Sequence, residues 1–500
     1  MALSNALAQA SEPGPVNATS RAAAWRWAVL ALAILAYLPR LTHPSLYADD
    51  IVRVSFERNL PFVQRLLLPF NEHLAPLFEL VTTTAWACAG FRLVNVPLAF
   101  MVASLLPFIA VLWLLGHIVS RETGSAFAGD FAILFASSVP LHAEVVGWYS
   151  ASSFTWALLF TLAAFAWAAR ATARALVLAS VAAAAAPAFS AIGLLAGPVA
   201  ASRLLAAKRW RAALVPLVGT LVYLALIFAV KQHQAWSIPG GSRNLSKVAE
   251  AVVRAPVGVL ALGTIGLRDT SPRPLSAWDV LGFVLFLILA AGVFLRARAK
   301  VLRGLLLAGL ILILGGYGLT VGIRSAGDLP NPLPIQRYQL FPLFGLALAI
   351  APGIAHLGRR LSLQTRPKHA ATLLVVCGVM LVSIHAARFK AYRKFYRFPD
   401  QPRVLAAIER LEQVATRELW NRERLIAALP RVRPAWFDHD TLSVWMLIGP
   451  QFGDSQPRNE AAPPIVLAPG LLHALTPTPP RPLPKERNPQ TAASGSSTIR

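Results

Sequence analysis

Long apolar runs separated by short polar segments recur along this chain from Trp25 to about Ala387. Because hydrocarbon offers the backbone no hydrogen-bond partners, runs of roughly 17 to 25 apolar residues predict membrane-spanning helices. The alternation of polar and apolar residues that is typical of membrane β-barrels is missing. The pattern therefore predicts an all-α polytopic membrane protein with about eleven transmembrane helices, at residues 25–41, 97–119, 126–141, 154–169, 175–188, 190–205, 212–230, 278–295, 304–323, 338–357 and 370–387.

Two of these runs, on either side of Pro187, are shorter than a bilayer usually requires. They could form a close-packed hairpin of two Ala-rich helices or one long broken span. If they are counted as two, the predicted cytoplasmic loops carry fifteen Lys and Arg residues, whereas the opposite short loops hold only Arg324 and Arg337. This asymmetry is what the positive-inside rule expects, so the charges favour the hairpin.

Two further segments are apolar but interrupted by charge. Residues 74–90 include Glu79, and we expect them to form a juxtamembrane helix on the outer face. Residues 245–267 carry three charges at spacings that leave one apolar face, which predicts an interfacial amphipathic helix. The first long outer loop then covers about 42–96 and the second about 231–277.

The chain divides into four predicted regions around this transmembrane part. Residues 1–24 form a cytoplasmic tail, 25–387 the transmembrane domain, 388–454 an amphipathic helical region and 455–500 a Pro-rich disordered tail. We expect the first apolar run to be a retained signal anchor in the inner (cytoplasmic) membrane. Eleven spans would place the C-terminus outside, whereas the basic residues of 388–397 favour the cytoplasm, so its side stays open.

Composition supports a membrane protein, with 56% hydrophobic and 14% charged residues. The net charge of +24 would suggest nucleic acid in a soluble chain. Here the basic residues follow the loops and no nucleic-acid recognition motif accompanies them, so we expect no nucleic-acid partner. Cys88 and Cys377 lie far apart in apolar stretches and predict buried small side chains rather than a disulfide or a metal pair.

Acidic residues are scarce in the transmembrane part, and nearly all of them map to the outer side. A carboxylate near hydrocarbon costs roughly 2.5 to 3.5 kcal/mol, so one retained there is a hint of function. In the pair Asp49-Asp50, just after the first span, the two charges repel each other, which makes one carboxylate a better general base. The alternative, left open, is that the pair caps a helix beginning at Ile51.

Two more outer clusters contain acidic or histidine side chains. Glu72 and His73 are adjacent and could bind a divalent metal or a sugar hydroxyl, although two ligands do not predict a metal site. Glu144 follows His142 at the outer end of a span, close to Trp148. This cluster could bind substrate or belong to the aromatic belt of the membrane interface.

A last cluster, Arg337-Tyr338, enters a later span from the outer side. The planar guanidinium of Arg337 could bind a phosphate through two parallel hydrogen bonds. Equally, its side chain could extend to the lipid headgroups.

The order and spacing of these clusters, over roughly residues 25–390, resemble the C-type fold (GT-C) of membrane glycosyltransferases that use polyprenyl-phosphate sugars. The branch it resembles contains the protein O-mannosyltransferases and the aminoarabinose transferase of lipid A. Asp49-Asp50 is similar to the acidic motif of the first outer loop, 71–77 to the juxtamembrane stretch, 140–145 to a motif preceding a span, and Arg337-Tyr338 to a late Arg-Tyr that faces the lipid phosphate.

The resemblance implies an inverting transfer of a sugar from a polyprenyl-phosphate donor to a protein, lipid or glycan acceptor outside the membrane. Asp49 or Asp50 would be the base, and Arg337 would stabilise the departing phosphate. The remaining candidates, Glu72, His73, Glu144 and Tyr338, would bind substrate, and the first two could share a divalent metal. Membrane lipids complete the expected partners. The alternatives are a secondary transporter, or a polymerase or ligase of surface polysaccharide.

Overall fold

The computed structural model describes residues 19–35, 50, 53–54, 56–57, 61–67, 74–91, 95–139, 142–170, 172–234, 245–265, 275–296, 300–324 and 336–392. Nearly all of these residues are helical and none of them forms a strand. The helices are α1 Thr19–Leu35, α2 Phe62–Leu67, α3 Pro76–Cys88, α4 Val96–Thr123, α5 Ala126–Ser138, α6 His142–Gly147, α7 Ser153–Ala168, α8 Ala173–Ala185, α9 Ala196–Ala206, α10 Trp210–Gln234, α11 Leu245–Ile265, α12 Ala277–Arg296, α13 Lys300–Leu310, α14 Gly316–Arg324, α15 Leu340–Arg360 and α16 Pro367–Tyr392.

Short segments of other helix types connect some of these elements. One-turn 3₁₀ segments cover Tyr149–Ser152, Ala191–Leu195 and Gln336–Gln339. A π-helical segment, Ile311–Gly315, joins α13 to α14, so that the three segments form one continuous helix.

The predicted all-α membrane class is confirmed within the described part of the chain, where six helices are long and apolar enough to cross a bilayer. They are Val96–Thr123, Tyr149–Ala168, Trp210–Val230, Ala277–Leu295, Leu302–Gly322 and Arg337–Arg360. Five shorter apolar helices coincide with the other five predicted runs. The number of eleven crossings stays a prediction.

Arginine side chains tie several helix ends together at one end of the bundle. Arg203 near the end of α9 donates to Glu122 at 2.8 Å, and Arg359 in α15 donates to the carbonyl of Thr123 at 3.3 Å. The C-terminal ends of α4, α9 and α15 therefore meet here, at what we call the basic end. The N-terminal end of α4 defines the opposite end, which we call the site end.

The segments on either side of Pro187 form two antiparallel helices rather than one broken span. Arg121 contacts the carbonyl of Ala166 near the end of α7, so α7 ends at the basic end and α8 begins there. Since α9 also ends there, the turn between α8 and α9 lies toward the site end. At that turn the amide of Leu77 donates to the carbonyl of Ala188 at 3.1 Å, which ties α3 to the hairpin.

Small residues allow the helices to approach closely. Around the hairpin one buried cluster consists of alanine apart from one leucine: Ala164, Ala168, Ala179, Ala182, Ala183, Ala186, Ala196, Ala200, Ala201, Leu204 and Ala213. Between α13 and α15, Gly309 and Gly345 lie against each other's backbone, because a Cβ on either would come within 2.7 Å of the other's carbonyl oxygen. Such contacts are the usual means of helix association in bilayers.

The two charged apolar segments are helical, as predicted. In α3 one face is buried, with Phe78, Glu79 and Thr82, while Leu80 on the other face is exposed. α11 packs on its neighbours, and Val257 lies against Gly282 of α12. Placement of α3 and α11 at the membrane surface stays a prediction.

Candidate functional site

Asp50 is fully buried at the site end and is held by a segment one hundred residues later in the chain. Its Oδ1 accepts from the amide of Ser150 at 2.7 Å and from the Ser150 hydroxyl at 2.8 Å, and its Oδ2 accepts from the amide of Tyr149 at 3.3 Å. The first amides of a helical turn have no partner within the turn. Asp50 therefore caps the 3₁₀ turn Tyr149–Ser152, while a helix beginning at Ile51 lies outside the described residues.

Arg53 connects this carboxylate to α3. Its Nε donates to the Ser150 hydroxyl at 3.2 Å and its Nη1 to Oε1 of Glu79, and its guanidinium lies 4.5 Å from the ring centroid of Phe78. Arg53 and Glu79 are both buried. A continuous buried chain of contacts thus runs from Asp50 through Ser150 and Arg53 to Glu79.

Tyr149 holds this network of contacts in position through its hydroxyl and its ring. Its hydroxyl lies 2.8 Å from the hydroxyl of Thr82, which donates its only proton to the carbonyl of Phe78, so Tyr149 is the donor between them. Its ring stacks on Phe78 at 5.0 Å and on Phe100 of α4 at 3.9 Å between centroids. The turn that holds Asp50 is therefore itself fixed by aromatic packing between α3 and α4.

Glu144, which is buried, and Arg337, which is partly buried, form a second unit. Nη1 of Arg337 donates to Oε1 of Glu144 at 2.6 Å, and the Arg337 amide donates to Oε2 at 3.1 Å. The guanidinium lies 4.6 Å from the ring of Trp148 and 4.9 Å from the ring of Tyr338. Two aromatic faces and one carboxylate thus fix the position of the cation.

Glu57 forms a separate ion pair beside these units, which we do not include in the site. Its Oε2 lies 2.9 Å from Nη2 of Arg65, and its Oε1 accepts from the hydroxyl of Thr83 at 2.8 Å. Burial raises the pKa of Glu57, while Thr83 and Arg65 act in the opposite direction. The pair ties the segment before α3 to α3 itself.

The segment 144–150 joins the two units into one candidate site. Glu144 at its beginning binds Arg337, and Ser150 at its end binds Asp50. Of the residues predicted from the sequence, the structure brings together Asp50, Glu144, Arg337 and Tyr338. Asp49, Glu72 and His73 lie outside the described residues. Within the part that the structure describes, no group of three or more His, Cys, Asp or Glu side chains could hold a metal ion.

Sequence reasoning missed Arg53 and Ser150, and it treated Glu79 only as a charge in a surface helix. Arg53 follows Asp50 by three residues, which is a helical spacing and was the available signal. No sequence signal indicated a role for Ser150, because serine is common at the start of helices in general.

No protein-family model, no curated protein and no solved structure matches this chain.

Proposed function

We propose that this protein is a membrane glycosyltransferase that moves a sugar from a polyprenyl-phosphate donor to an acceptor hydroxyl on the outer side of the inner membrane, with inversion at the anomeric carbon. The donor is then lipid-linked and the acceptor is a protein, a lipid or a surface glycan. Both substrates meet at the site end of the bundle.

One observation carries the proposal. A buried acidic unit, with Asp50 bound to Ser150, and a cation on aromatic rings, with Arg337 over Trp148, lie at the two ends of the seven residues 144–150. Transfer from a phosphate donor needs both kinds of group within one substrate length: a carboxylate to remove a proton and a fixed cation to stabilise the departing phosphate.

In this mechanism the acceptor oxygen attacks the anomeric carbon as a carboxylate removes its proton. The bond between the anomeric carbon and the phosphate oxygen breaks, and its electron pair leaves with the polyprenyl phosphate. The guanidinium of Arg337 binds that phosphate, either beside Glu144 or in place of it. The resemblance described above implies that Asp49 or Asp50 is the base. The buried surroundings of the site exclude water that would otherwise hydrolyse the donor.

The proposal is tested by incubating membranes that contain the protein with a panel of radiolabelled polyprenyl-phosphate sugars. Arg337→Gln keeps a planar donor group but removes the charge. Since loss of one such stabilising group typically costs about 10²- to 10³-fold in rate, we expect transfer to fall by that factor.

Arg121→Gln is the matched control, because Arg121 also pairs with a carboxylate but lies at the basic end. It should transfer like the wild type. No transfer from any donor, or equal transfer by wild type and Arg337→Gln, would overturn the proposal. Mass spectrometry of envelope glycans from a strain that lacks the gene would then identify the sugar and its acceptor.

A further inference from the structure

Glu79 has one carboxylate oxygen that is buried and has no hydrogen-bond partner. Its Oε1 accepts from Arg53, while no donor lies within hydrogen-bond distance of its Oε2. Only 4% of the residue is exposed. The oxygen is therefore shielded from bulk water and has no donor among the residues that the structure describes.

The neighbouring carboxylates differ from Glu79 in this respect. Each of them uses both of its oxygens: Asp50 with the amides of Tyr149 and Ser150, Glu144 with the side chain and amide of Arg337, and Glu57 with Arg65 and Thr83. Both oxygens of each of these three carboxylates are therefore already bound to donors, whereas Oε2 of Glu79 is not. Asp50 is thus suited to fix the turn rather than to accept a proton.

A buried acceptor without a donor is unfavourable, and a ligand that brings a donor removes that cost. Oε2 of Glu79 is an acceptor of this kind. Arg53 fixes the carboxylate through Oε1 and is itself held by Ser150 and Phe78. The open oxygen therefore lies in the same contact network as Asp50, on a side chain whose orientation is set.

We infer that Glu79, rather than Asp49 or Asp50, is the general base that receives the proton of the acceptor hydroxyl. The inference rests on the proposed function and names its catalytic carboxylate. Oε2 of Glu79 takes the proton as the acceptor oxygen forms its bond to the anomeric carbon, and the polyprenyl phosphate leaves with the electron pair of the broken bond. Asp50 and Arg53 are positioning residues, since they act through Ser150 and Glu79.

The test is Glu79→Gln in the transfer assay. Gln keeps an oxygen for Arg53 but cannot remove a proton, so we expect transfer to fall by about 10²- to 10⁴-fold. Binding of the polyprenyl-phosphate sugar should stay within about twofold of the wild type.

Sodium azide separates a catalytic role from a structural one. Azide needs no proton removed, so it should attack the donor in Glu79→Gln and yield the glycosyl azide at a rate that exceeds the variant's own transfer to the natural acceptor. The same azide concentration should leave Asp50→Asn and Asp49→Asn unrescued. Glu57→Gln is the matched control, because this buried neighbour has both oxygens bound, and its transfer should equal that of the wild type.

Each result decides the inference. Full transfer by Glu79→Gln, loss of its donor binding, or azide rescue of Asp49→Asn or Asp50→Asn in its place would overturn the role of Glu79 and leave the glycosyltransferase proposal intact. Absence of both transfer and glycosyl azide in the wild type would instead remove the proposed function itself.

Discussion

Arg53 shows how single side chains build the site from distant parts of the chain. It lies between the capped turn at Ser150 and the carboxylate of Glu79, and its guanidinium also covers Phe78. A guanidinium has five N–H donors on three nitrogens in a fixed plane, so it can bridge groups that are further apart than those within reach of the single nitrogen of a lysine. Removing such a partner from a buried ion pair leaves an uncompensated charge and typically costs about 3 to 5 kcal/mol.

At the residue scale the sequence predicted part of the site for a physical reason. Charged residues beside hydrocarbon are costly, so the scarcity of acids singled out Asp50 and Glu144, and Arg337 stood out at the start of a span. The partners of these residues could not be predicted. Glu144 and Arg337 are 193 residues apart, and only the tertiary fold decides that they pair with each other.

Glu57 gives a prediction about pH. Because burial raises its pKa above the ordinary 4.5, the native protein binds this proton more tightly than the unfolded chain. The resulting stability is complete below pH 4.5 and is lost as the pH rises through the raised value. In detergent, the melting temperature of the wild type minus that of Glu57→Gln should therefore fall between pH 4 and pH 7.

The difference between the two melting temperatures isolates the effect of Glu57, since every other titrating group is common to both proteins. A difference in melting temperature that is constant across this range, or that rises with pH, would contradict the direction of the shift.

At the scale of elements, apolar periodicity located the helices well. The predicted run 97–119 lies within α4, 278–295 within α12, and 370–387 within α16. Apolar periodicity did not predict the short turn Tyr149–Ser152 or the π segment Ile311–Gly315. The turn depends on a contact between distant parts of the chain, because Asp50 caps it from one hundred residues earlier.

Gly193 gives a prediction about the hairpin. A Cβ there would lie 2.3 Å from the backbone carbon of Ala186, so Gly193→Ala must push the α8–α9 turn apart. Overpacking of this kind costs about 1 to 3 kcal/mol. We expect a lower melting temperature and a lower yield of monodisperse protein in detergent.

Gly292→Ala in α12 is the control, because a Cβ there meets nothing within 4 Å. It should be neutral or slightly stabilising, as alanine is the better helix former. Equal behaviour of the two variants would mean that the turn tolerates displacement.

At the scale of the whole molecule, charge asymmetry predicted which loops share a side, and the contacts at the basic end agree with it. Arg203 and Arg359, both assigned to cytoplasmic ends, meet at the end of α4. The depth of α3 and α11 relative to the bilayer could not be derived, because their few charges fit a surface helix and a buried one equally.

The two cysteines provide a test of orientation. Cys88, which the sequence predicted to be buried, is exposed at the end of α3. We predict that this end lies outside, whereas Cys377 lies, partly buried, within the apolar part of α16. A membrane-impermeant maleimide should therefore label intact cells at Cys88. Labelling should disappear in Cys88→Ser and persist in Cys377→Ser, as followed by mass shift on a gel. Labelling of Cys88 only after the cells are permeabilised would reverse the predicted topology.

The pairing of Glu144 with Arg337 also has a consequence for biosynthesis. At roughly 5 to 20 residues per second, the ribosome completes Arg337 about 10 to 40 seconds after Glu144. During that interval Glu144 lacks the cation that accompanies it in the native state, so burial of its charge would be too costly. We therefore expect the end of α6 that carries Glu144 to stay hydrated until the later helices insert, and the pair with Arg337 to form as one of the last steps of assembly.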